Sequence, residues 1–170
     1  MRSRTSNWFE TKIRYEKMMD DGKQKAVTET YTVDALSFTE AEASIIEEMS
    51  SYISGDFKVT GITKAGYGEI FFSDADLDDK FFKVKLKFIT IDEKTEKEKY
   101  SNVTYLVQAH TLQQAVNYVE EVMGGTAIDY IFAAIQDTTI MDVFEHDGTK
   151  KKPEINDVPE YEQQDTAKAE

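Results

Sequence analysis

Apolar and polar residues alternate with period two from residue 8 onward. Phe9, Thr11, Ile13 and Tyr15 fall on one face, with Trp8, Lys12 and Arg14 on the other, which predicts a strand over 8–19. Asp20-Asp21-Gly22 marks a hairpin turn, and Val27, Tyr31, Val33 and Ala35 give a return strand over 25–35. The period then changes. Phe38, Ala41, Ile45, Met49 and Ile53 recur at helical spacing, so a helix is predicted over 38–53. Ser37 and Glu40 fit a capping box at its start, and Gly55 is the expected terminator. Residues 57–63 and 67–73 read as a second hairpin turning at Lys64-Ala65-Gly66.

After a linker, Ser73 to Asp79, the same order returns. A strand over 81–91 carries Phe82, Val84, Leu86 and Phe88 on one face. A turn at Asp92–Lys97 leads to a strand over 99–109. Thr111 and Gln114 repeat the capping box. Leu112, Ala115, Val119 and Met123 repeat the apolar stripe up to Gly124-Gly125, and strands over 128–136 and 139–144 close the unit. The expected fold is therefore α+β: tandem duplicated ββαββ units, 8–73 and 81–144, in one domain over 8–145. An antiparallel sheet packs with two helices, because a one-helix unit alone buries little core. Read from residue 57, the order ββββα resembles the sheet-plus-helix repeats of whirly or coactivator-type single-stranded-DNA-binding proteins. Residues 1–7 are expected to form a disordered basic leader. Residues 146–170 are expected to form a disordered acidic tail, since from Pro153 onward one lysine stands against six acids.

Composition narrows the function classes. The 170 residues carry 20 Lys and Arg against 33 Asp and Glu, a net charge of −13, which does not suit a general polyanion binder. No apolar run approaches the ~18–20 residues of a membrane helix. No apolar segment follows the charged N-terminus, so no signal peptide is expected. The absence of cysteine excludes disulfides and thiolate sites and fits a cytoplasmic setting.

The first strand of each unit carries the strongest candidate site. Trp8, Lys12 and Arg14 in one, and Phe81, Lys83, Lys85 and Lys87 in the other, place aromatics beside cations on an expected outer face. Single-stranded nucleic acid is held this way, with bases stacked on aromatics at ~1–3 kcal/mol each. The same lysines also suit an ordinary solvated strand guarded against aggregation. Asp74, Asp76, Asp78 and Asp79 suggest a calcium loop, but its required Gly and Glu positions hold Asp79 and Lys85, so a solvated linker is expected. His110 and His146 lack metal spacing, and no G-x-S-x-G elbow is present. The helix acids Glu40, Glu42, Glu47, Glu48, Glu120 and Glu121 lie away from the apolar stripes. No catalytic residue, metal or cofactor is expected, nor a membrane. Single-stranded nucleic acid, a basic protein or a second copy of the chain are the expected partners.

Four segments carry a family resemblance: Trp8-Phe9-Glu10-Thr11-Lys12, Val33 to Glu42, Glu69 to Ala75 and Ile140 to Phe144. Together they resemble an uncharacterised domain family of gut anaerobes and their tailed phages. That resemblance implies no site residue. It leans toward a non-enzymatic accessory protein that binds single strands in phage or mobile-element replication. The alternative is a protein-interaction or assembly module with an acidic surface.

Overall fold

Two long antiparallel hairpins frame the molecule, seen in a computed structural model that describes residues 1–146. Of the acidic tail expected over 146–170, His146 is held to Asp34 by hydrogen bonds and the rest lies outside the described residues. The strands are β1 (Arg2–Thr5), β2 (Trp8–Met18), β3 (Gln24–Asp34), β4 (Phe57–Lys64), β5 (Glu69–Phe72), β6 (Lys80–Ile91), β7 (Glu98–Ala109), β8 (Asp129–Asp137) and β9 (Ile140–Phe144). Helix α1 (Phe38–Tyr52) follows β3, and α2 (Leu112–Met123) follows β7. The class is α+β, in two sheets ordered β4-β2-β3-β9 and β1-β5-β7-β6-β8.

Each sheet borrows a strand from the other half of the chain. β4 and β5 do not form the expected hairpin: β5 leaves to pair parallel with β7, and β9 likewise leaves β8 to pair parallel with β3. Side-chain demand explains the exchange. Ile70 and Phe72 of β5 are buried in one apolar cluster and Phe71 in another, so both faces of the strand need cover. A hairpin with edge strand β4 would leave one of them wet. The expected frayed leader is also ordered. β1 pairs antiparallel with β5, from Arg2 opposite Phe72 to Thr5 opposite Glu69. Its guanidinium groups lie over rings, Arg2 at 4.2 Å from the Phe72 centroid and Arg4 at 5.7 Å from Trp8. Local composition cannot show this, because the carboxylates that balance those cations, Asp34 and Glu145, lie far along the chain.

Three cores stack the layers as helix, sheet, sheet, helix. Phe9, Ile13, Val33 and Ala35 pack under Ala41, Ile45 and Met49 of α1. Phe82, Val84, Leu86 and Val107 pack under Ala115, Val119 and Met123 of α2. Between the sheets lie Trp8, Tyr67, Ile70, Phe72, Phe81, Leu106, Ile140 and Val143. The stripes are shorter than expected, since Phe38 at the start of α1 is 55% exposed and Leu112 at the start of α2 is also exposed. Ladder irregularities fall at Lys12/Ile13 between β2 and β4 and at Lys85/Leu86 between β6 and β8.

Both helices begin as expected, with the Ser37 and Thr111 hydroxyls each accepting an N–H at 3.1 Å. Only the first box closes, through the Glu40 carboxylate accepting from Leu36 N–H at 3.2 Å. Gln114 donates instead to the Tyr118 hydroxyl.

Candidate functional site

The alternation of β2 and β6 places Trp8 and Phe81 on the face away from the helices, but the opposing sheet covers that face. Trp8 is 1% exposed and Phe81 3%, so neither ring is open to a base. The Trp8 indole N–H donates to the Gly68 carbonyl at 3.1 Å. Lys83 is engaged too, with its ammonium 2.8 Å from Glu10 and 5.7 Å from the Tyr67 ring centroid. The Tyr67 hydroxyl lies 2.8 Å from Thr32 Oγ1 and donates to Glu10 at 3.2 Å. Burial pushes its ionisation far above the ordinary tyrosine range, so it stays a donor. Lys12, Arg14 and Lys85 remain exposed, and the Lys87 ammonium lies 5.6 Å from the Tyr100 centroid. A cleft of about 280 Å³ between the sheets brings Lys12 and Lys83 together beside Glu10 and Asp137. The structure therefore brings Lys12 and Lys83 together and removes both aromatics.

The aspartate linker is not wholly solvated. Asp78 is buried and accepts from the Ser73 hydroxyl and from the Tyr118 hydroxyl of α2. Asp79 lies 3.2 Å from the exposed His110, whose hydrogen bond holds its carboxyl below the ordinary range. His146 belongs to a network that joins β1, β3 and the end of β9. Its backbone N–H donates to Asp34 at 2.6 Å, and its Nδ1 lies 3.0 Å from the same oxygen. Arg4 bonds Asp34, Glu145 and the His146 carbonyl.

A groove of about 210 Å³ runs between β9 and α1, lined by Tyr31, Met49, Tyr52, Met141, Asp142 and Phe144. Phe144 stacks on Tyr31 at 5.5 Å and on Tyr52 at 6.2 Å. Tyr52 is 71% exposed and Met141 54%. Asp142 lies between these apolar groups. Burial pushes its carboxyl above the ordinary aspartate range, while the backbone N–H of Val143, at 2.8 Å, partly offsets the effect. No described residue supplies it with a cation. The outer edge of β9 is unpaired among the described residues, as are those of β1, β4 and β8. Sequence reasoning missed this site, although an aspartate inside the apolar run Ile140-Met141-Asp142-Val143-Phe144 was the available signal.

Fold and site together define an α+β protein of two face-packed sheets flanked by two helices, with open strand edges. Within that class, the chain belongs to the domain-of-unknown-function family DUF4494, whose model matches residues 7–146. No curated protein matches the chain, and no solved structure does. No helix among the described residues is long and apolar enough to cross a membrane.

Proposed function

We propose that this chain is a non-enzymatic protein-interaction module that recruits extended segments to its sheet edges. One observation carries the reading: the chain already performs such a pairing on itself. β1 zips four residues onto the edge of β5, about seventy positions away. β9 holds the corresponding place in the other sheet, and no described strand pairs with its outer edge. Edge pairing satisfies exposed backbone groups, and alternate side chains supply specificity.

The correspondence between β5 and β9 rests on a second inference, that the two halves are copies of one ββαββ unit that exchange their last strands. The orders β4-β2-β3-β9 and β8-β6-β7-β5 support it. So do ladder irregularities 73 residues apart, at Lys12 and Lys85. Phe9 beneath Ile45 and Phe82 beneath Val119 add to it.

The test is hydrogen exchange on the full chain mixed with a library of synthetic extended peptides. Slowed exchange confined to an edge strand is expected. Unchanged exchange at every edge with every peptide would refute the reading.

A second reading, binding of single-stranded nucleic acid, is favoured by the exposed Lys12, Arg14 and Lys85 and by the Lys87–Tyr100 pair. It requires anisotropy of a labelled oligothymidine to rise at low salt and fall steeply as salt is added. Lys12→Glu with Lys85→Glu should abolish that rise. A flat titration at low salt removes this reading.

A further inference from the structure

We infer that the β9 edge, with the groove it shares with α1, takes an extended segment of a partner protein carrying a Lys or Arg two residues from an apolar side chain. The inference rests on the edge-recruiting reading and specifies its partner. Three features of the groove select this occupant.

Its carboxylate is uncompensated. Asp142 is open to solvent on one side and lines the groove with Tyr31, Met49, Tyr52 and Phe144; their partial desolvation raises its carboxyl, and no described cation lies near it. A carboxylate placed against apolar groups is destabilising until a cation or further donors reach it. Asp142 and Phe144 are two residues apart on the α1 side of β9, Asp142 lining the groove and Phe144 packing against the α1 core. A strand laid along the edge presents its own alternate residues to the same side. A cation opposite Asp142 therefore puts the residue two positions away against Tyr52 and Phe144, where an apolar side chain is needed.

The bound precedent is a short cationic strand seated on the corresponding edge. On the corresponding β5 edge, β1 supplies Arg2 and Arg4. Their stems and guanidinium groups cover Phe72 and Trp8 while their charges meet Glu145 and Asp34. There the cations face the inter-sheet core and Ser3 faces the helix side, whereas at β9 the acceptor, Asp142, lies on the helix side.

The other open edges lack this combination. β1 carries Arg2 and Arg4, β4 carries Lys58 and Lys64, and β8 is uncharged from Tyr130 to Gln136. The overall charge of −13 steers a cationic segment toward the molecule in either case. Discrimination must therefore come from Asp142 and its groove.

The experiment uses the full chain and a fluorescein-labelled, amidated peptide, Thr-Val-Thr-Lys-Thr-Val-Thr, with Glu replacing the Lys in a control. The Lys peptide should show saturable anisotropy below about 1 mM, and the Glu peptide should show none. Exchange of the outward-facing amides within 140–144 should slow on binding. Asp142→Asn should weaken the complex about tenfold, the loss expected for one charge-assisted hydrogen bond.

Protection at β1, β4 or β8 in place of β9 overturns this assignment and leaves the edge-recruiting reading standing. Binding unchanged by Asp142→Asn overturns the cation rule. Complete protection of 140–144 in the free full chain means that the chain covers its own edge, which overturns an outside partner. Absence of binding at every edge overturns both the assignment and the reading beneath it.

Discussion

Trp8 fills the space between the sheets, and its removal leaves a cavity that both sheets must close. Trp8→Ala should cost about 3–5 kcal/mol in a urea melt, whereas Lys85→Ala, on an exposed position, should stay within about 0.5 kcal/mol. Loss of ligand binding in the Trp8 variant would therefore report unfolding. Asp142 makes the opposite prediction. Its folded carboxyl is raised, so the penalty on the charged form is present above the raised value and vanishes below the ordinary aspartate range. Asp142→Asn should raise the thermal midpoint at neutral pH by roughly 1 °C after allowance for solvent exposure. The difference should disappear near pH ~3. A variant that is more stable yet binds the cationic peptide more weakly is the signature of a group kept for contact. Equal midpoints at neutral pH would show that Asp142 is not strained.

At the scale of elements, the helix starts were legible because a cap is a local device. Ser37→Ala should cost about 1 kcal/mol, measured by chemical denaturation. The same change at Thr111 should cost less than at Ser37 if the closed box matters, because Gln114 is turned toward Tyr118. β1 was not legible, since its reasons for being a strand lie at Glu145 and Asp34. The hydrogen bonds and charge of Arg2, with Arg4 adding, hold the Glu145 carboxyl below the ordinary glutamate range. Its stabilisation is present above that range and lost as pH falls through the lowered value. Glu145→Gln should thus cost about 1 kcal/mol at pH 7, with wild type and variant converging near pH ~3. A gap independent of pH would place the effect in packing.

For the whole molecule, the exchange of β5 and β9 makes the halves interdependent. A chain ending at residue 79 lacks β7, the partner of β5, and β9, the neighbour of β3. It should show no cooperative melt by far-UV circular dichroism, while the full chain unfolds in one transition. A cooperative melt of the isolated half would mean that β5 has another place to pair. The same exchange explains why Trp8 and Phe81 looked like surface. Period two assigns a side chain to a face, and only the packing of one sheet on the other decides whether that face meets water.

The sequence by itself determined the α+β class, the two hairpins, both helices and their buried stripes. All of these follow from periodicities and caps whose causes lie within a few residues. Tertiary structure alone decided three things: that the short apolar strands Glu69–Phe72 and Ile140–Phe144 cross between sheets, that the basic leader becomes a strand, and that Trp8 and Phe81 of the supposed outer face lie in a core. A strand that must bury both faces, and a cation whose counter-charge is some 140 residues away, are satisfied only by long-range neighbours. The edge of β9, unpaired among the described residues, and the Asp142 carboxylate beside it emerge at the same level.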